Sequence, residues 1–181
     1  MLTIQIPGQE QYDEAKNEFF ETKPITIQLE HSLISLSKWE SKWHKPFYHP
    51  INNKTNEEIL DYVRCMTLTQ NVKPEVYYSL TTANIKDIQA YIDDSMTATI
   101  FTNRGNGPPN REIITAELIY YWMIAYNIPV EFEKWHLNRL LTLIRICTIK
   151  NSKPTKMSKK AVLSRNAALN AARKQQFNTS G

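Results

Sequence analysis

Between residues 111 and 149 the chain holds two long stretches of helical apolar periodicity, separated only by Ile128-Pro129-Val130. Arg111 to Asn127 places Ile114, Leu118, Tyr121, Trp122 and Ala125 on one stripe, with Glu117 as its only charge past the first turn. Such a helix is expected to be mostly buried. Glu131 to Ile149 follows, with Phe132, Trp135, Leu140, Leu143, Ile144 and Cys147 turned inward and Lys134, Asn138, Arg139 and Arg145 outward. So short a connection predicts an antiparallel helical hairpin, and this constrains the fold more than any other feature.

The N-terminal part reads differently. Leu2, Ile4 and Ile6 alternate with polar residues up to Pro7-Gly8, and Ile25, Ile27 and Leu29 repeat the pattern after Pro24. Both are strand patterns, expected to pair across the long acidic connection from Gln9 to Glu21. Ser32 is placed to cap a helix from Leu33 to Trp43, stopped by Pro46. Thr55-Asn56-Glu57-Glu58 is a capping box opening a helix with Ile59, Leu60 and Val63 inward. Pro74 is expected to start a short helix, Asn84 to cap another bearing Ile85, Ile88 and Ile92, and Thr97 to Phe101 to return as a third strand. Asn103 to Asn110 is the clearest break in the chain. The fold class predicted is mainly α (α+β): a helical domain over residues 1–150 with a small N-terminal sheet, then a basic arm over 151–181.

Charge supports that division. Residues 1–110 carry 10 Lys/Arg against 14 Asp/Glu, residues 111–149 carry 4 against 4, and residues 150–181 carry 8 against none. The overall +4 therefore comes from the tail, a pattern typical of interaction arms. A helix from Lys159 to Gln176, with Ser158 as its cap, is rich in alanine and basic residues and would be marginal alone in water. It is expected to be mobile until a partner orders it. With only Phe177 near its end, it lacks the interleaved aromatics that stack on single-stranded bases, so nucleic acid is not the expected partner.

No stretch reaches the roughly 18–20 apolar residues of a membrane span. Met1 to Ile6 has neither the basic nor the apolar region of a signal peptide. Cys65 and Cys147 read as buried free thiols in a reducing cytoplasm, with a disulfide between them left open. No cofactor is expected: four glycines make no phosphate loop, and His44 with His49 is short of the four ligands of a structural zinc site. Trp135-His136-Leu137-Asn138-Arg139 puts a candidate base and an anion clamp on one helical turn, but no nucleophile or paired carboxylate accompanies them. Its polar groups are expected to bond a neighbouring loop while Trp135 enters the core. The chain is not expected to be an enzyme. Trp39, Trp43, Arg139, Lys156, Lys159, Lys160, Arg165, Arg173 and Lys174 are the candidate partner contacts, aromatic anchors and exposed cations being the usual interface residues.

Glu30 to Trp43, Asp61 to Met66, Glu112 to Met123, Trp135 to Ile144 and Lys156-Met157-Ser158 together resemble a protein family of tailed phages. Its members are labelled tail assembly chaperones or minor tail proteins. The resemblance implies a non-catalytic protein of the host cytoplasm that binds the tape-measure protein, the tail-tube protein or both during tail assembly, with no catalytic residues to carry over. A virion component of tail, neck or baseplate is the first alternative and a nucleic-acid binder using the tail the second. Homo-oligomerisation is left open.

Overall fold

The computed structural model describes residues 1–8, 10–13, 17–21, 23–49, 54–101, 112–152 and 159–177. It is mainly helical with a small N-terminal β component, as the sequence pattern predicts. Two compact units divide the chain, Met1–Cys147 and Thr148–Gly181.

In the first unit β1 (Leu2–Ile6) pairs antiparallel with its later partner strand (Ile25–Leu29), in a register that sets Ile4 opposite Ile27 and Ile6 opposite Ile25. Ile4, Ile6, Ile27 and Leu29 are buried and form one face, which follows from the twofold alternation of a strand. The acidic connection holds a second pair, β2 (Glu10–Asp13) with β3 (Glu18–Glu21), so Ile25–Leu29 is β4. Tyr12 faces Phe19 across this hairpin with ring centroids 4.9 Å apart, and Asn17 takes the left-handed conformation beside it at φ 55°. Charged residues at Glu10, Asp13, Glu18 and Glu21 hide the strand alternation from a hydrophobicity reading.

From β4 the chain turns through Glu30-His31 into α1 (Leu33–Trp43), whose Ser32 cap forms a reciprocal box with Ser35. The helix ends at His44, left-handed at φ 53°, two residues before Pro46. Next comes α2 (Asn56–Met66), with the expected Thr55–Glu58 capping box. Its exit runs along β4, where the Leu68 amide donates to the Gln28 carbonyl at 2.8 Å and the Glu30 amide to the Met66 carbonyl at 2.9 Å. Pro74–Ser79 forms a 3-10 turn. It leads to α3 (Thr82–Asp93), which is capped by Thr81; Asn84, the expected cap, is instead its reciprocal partner three residues on.

The third strand expected over Thr97 to Phe101 does not form. That segment is irregular: Met96 takes a left-handed conformation, Ile100 is exposed, and no strand lies opposite among the described residues. The helix expected from Arg111 begins later, as α4 (Ala116–Ala125), with Thr115 as cap. A 3-10 turn over Val130–Lys134 takes the first residues of the second expected helix, so α5 spans Leu137–Asn151. The break from Asn103 to Asn110 lies outside the described residues.

Two apolar clusters result. One gathers the β1–β4 face, Trp39, the inner sides of α2 and α3, and Tyr77. The other gathers Leu33 and Leu36 of α1, Ala116, Ile119 and Met123 of α4, and Leu137, Leu140 and Ile144 of α5. Helix α1 thus contributes to both. The second unit contains α6 (Lys159–Phe177).

Candidate functional site

Five aromatic or imidazole side chains from distant parts of the first unit meet behind α1. The β4–α1 turn delivers His31, which is fully buried. Its Nδ1 lies 2.6 Å from the Tyr62 hydroxyl of α2, and its Nε2 lies 3.3 Å from the Tyr48 hydroxyl. His136, just before α5, sets its ring 5.1 Å from that of His31, edge to face. The His136 Nε2 is 3.0 Å from the Tyr91 carbonyl. A carbonyl only accepts, so this nitrogen carries the proton and Nδ1 is the bare one, buried without a partner among the described residues. Tyr91 closes the set by donating to Glu30 Oε1 at 2.8 Å. The backbone ties the same elements together, the Leu137 amide donating to the His31 carbonyl at 2.7 Å.

Burial, followed by the charge of His136, pushes the His31 imidazole down to about 3, against an upward pull from Asp93. Burial likewise lowers His136, although its bond to the Tyr91 carbonyl opposes this. The phenols move the other way: burial raises Tyr48 to about 12 and holds Tyr62 well above its ordinary value. Both histidines are therefore neutral at physiological pH, and Tyr48 and Tyr62 keep their protons.

Tyr48 and Tyr62 also line an open cleft of about 630 Å³, beside α2 and α3. Phe47, Ile59, Ile85 and Ile88 supply its apolar walls, while Lys54 and Asp93 bring one charge of each sign. Lys54 Nζ sits 4.1 Å from the centroid of Phe47 and 6.0 Å from that of Trp39, and burial lowers its pKa. The volume is that of an ordinary ligand or side-chain pocket.

A second feature is α4. Its fully buried residues are Ala116, Ile119 and Met123; of the expected stripe, Ile114 and Trp122 are partly buried against the same cluster, while Tyr121 and Ala125 are exposed. Tyr121 is 63% and Ile124 76% exposed, and Val130 beyond the helix is exposed too. An apolar sequence on all sides gives no indication of which arc the neighbouring helix covers, and here that arc is narrow. The expectation that α4 is mostly buried is thus overturned.

The candidate contacts named from sequence separate widely. Trp39 is completely buried, with its indole nitrogen donating to the Glu58 carbonyl at 2.8 Å, so it is a core residue and no partner anchor. Trp43 is half-buried, donates to Asp61 Oδ2 at 2.9 Å, and lies under Lys42 Nζ at 5.3 Å. Arg139 is exposed and stacks 4.0 Å over Trp135, which also stacks on Phe132 at 3.9 Å and 15°. Trp135 is half-buried instead of a core residue. Lys159, Lys160, Arg165, Arg173 and Lys174 are exposed on α6, and Lys156 lies outside the described residues.

The reading of the 135–139 segment as a loop-binding turn holds for Asn138, whose amide donates to the carbonyls of Ile92 at 2.8 Å and Asp94 at 2.7 Å. Asn138 therefore points inward, where an outward position is expected from periodicity. Cys65 and Cys147 are free and half-buried. Among the described residues no group of three metal-ligating side chains assembles, and no helix is long and apolar enough to cross a membrane.

The histidine–tyrosine set escapes a sequence reading because its members stand at positions 31, 48, 62, 91 and 136, with no shared spacing. Comparison with protein-family models, with curated proteins and with solved structures finds no match to this chain.

Proposed function

We propose that this chain is a non-catalytic assembly factor that holds an apolar segment of another protein in the cleft beside α2 and α3. The observation that carries the reading is the cleft itself: aromatic and aliphatic walls, open to solvent, with one charge of each sign, Lys54 and Asp93, among the lining residues. General acid–base work favours groups that titrate near the working pH. Tyr48, which lines the cleft, is pushed by burial up to about 12, away from that range, so it is suited to binding and poorly suited to proton transfer.

The tailed-phage resemblance supplies the setting, in which the partner is the tape-measure protein or the tail-tube protein during tail assembly. The exposed Tyr121–Ile124 face of α4 favours a second reading, permanent incorporation as a tail, neck or baseplate subunit, because an uncovered apolar helix face suits a lasting interface.

Co-purification with tape-measure and tube proteins tests the first reading, using Ile59→Glu with Ile85→Glu. Both side chains line the cleft and are partly exposed, so the fold should survive while capture is lost. Unchanged capture would remove the cleft from the proposal. Stoichiometric presence of the chain in purified virions would favour the structural reading.

A further inference from the structure

Every described side chain of α6 is exposed, and the helix carries five basic residues and no acidic one. The two units differ in charge: residues 1–147 carry 14 Lys/Arg against 18 Asp/Glu, and residues 148–181 carry 8 against none. At about 100° per residue, Lys159, Lys160, Arg173 and Lys174 fall within an arc of about 140°. Asn166 and Asn170 lie inside the same arc, midway along the helix. The two basic pairs stand about 21 Å apart along the axis at 1.5 Å per residue. Leu163 and Phe177 lie inside this arc and Val162 and Leu169 within about 40° of its edge, so no apolar face is segregated from charge. Docking into an apolar groove or lying at a lipid surface requires that segregation.

We infer that α6 is a DNA-binding helix that lies in the major groove of a duplex. Lys159 with Lys160 and Arg173 with Lys174 meet phosphates at its two ends, and Asn166 and Asn170 face base edges between them. The major groove of B-form DNA is about 12 Å wide and admits an α-helix, and an asparagine amide can pair with the edge of adenine there. Ala167 keeps part of that face slim, and the exposed Leu163 stands on it between Asn170 and Lys174. The A-form groove of double-stranded RNA is too narrow for the same entry, which makes DNA the substrate of choice. Phe177 is the only aromatic residue on α6, too few for a stacking surface for single strands. The inference is independent of the cleft and of its proposed partner.

Fluorescence anisotropy of the full chain with a labelled 20-base-pair DNA duplex, from 50 to 200 mM salt, tests it. Wild type should bind with a steep salt dependence. The K159Q/K160Q/R173Q/K174Q variant, its helicity checked by circular dichroism, should bind at least about tenfold more weakly, with a log–log slope shallower by about 3 to 4. N166A/N170A should keep the wild-type slope and lose any preference for duplexes containing A·T pairs over G·C-only ones. Double-stranded RNA of the same sequence should bind at least about tenfold more weakly than DNA. Absence of duplex binding at 50 mM salt would overturn the inference. So would equal affinity for the RNA, or equally effective competition by polyglutamate, the last assigning α6 to an acidic protein surface.

Discussion

His31 and His136 show at the level of single residues how this fold couples to acid. Each imidazole is less basic in the folded protein than in the unfolded chain, where the ordinary value is near 6.5. Below that value the unfolded chain binds protons that the folded one refuses, so stability falls as pH falls. Their contribution is complete above about pH 6.5, and for His31 it is lost progressively down to about 3. The slope is at most about 1.4 kcal/mol per pH unit per histidine. Urea titrations at pH 7.5, 6 and 5 should show this decline, and His31→Gln should flatten it; a flat profile in wild type would contradict the buried neutral pair. Trp39 gives a second prediction at this scale. Fully buried and bonded to the Glu58 carbonyl, it should cost about 3–5 kcal/mol on change to Ala. Trp135 is half-buried between Phe132 and Arg139, and its removal should cost clearly less.

At the scale of elements, Glu40 joins two helices that do not adjoin in sequence. It is buried on α1, accepts from the Phe47 amide at 2.7 Å through Oε1, and accepts from the Ala116 amide at 2.7 Å through Oε2. Ala116 is the first residue of α4, so the carboxylate meets the positive end of that helix and one of its unpaired amides. Burial nonetheless raises its pKa, the two amide bonds acting against that rise. Glu40→Ala would leave two amides without acceptors and should destabilise the protein by about 2–3 kcal/mol. Glu40→Gln keeps one acceptor and should lose less, as chemical denaturation would show. Thr55→Ala removes the accepting hydroxyl at the start of α2 and should cost about 1 kcal/mol.

For the whole molecule, the division at Cys147 and Thr148 predicts that the last buried side chain of α5, Ile144, marks the end of what the first unit needs. A chain stopped after Asn151 should melt within about 2 °C of the intact protein while losing DNA affinity. A larger fall in melting temperature would mean that the basic segment contributes to the fold.

The local elements were legible wherever short-range chemistry decides. Ser32 and Thr55 each satisfy an orphan amide three residues on, and the alternation of Leu2–Ile6 with Ile25–Leu29 allows only one buried face; cap and strand pair both follow from a few adjacent residues. The +8 segment was equally visible, because charge is additive along a chain. Tertiary packing decided the remainder. Which arc of the largely apolar α4 is covered depends on where α1 lies, and Thr97 to Phe101 has no neighbouring strand edge among the described residues despite its β-prone residues. The histidine–tyrosine set and the cleft above it exist only because the β4–α1 turn, α2, α3 and the start of α5 converge. Burial then sets the protonation of groups that the sequence leaves at their ordinary values.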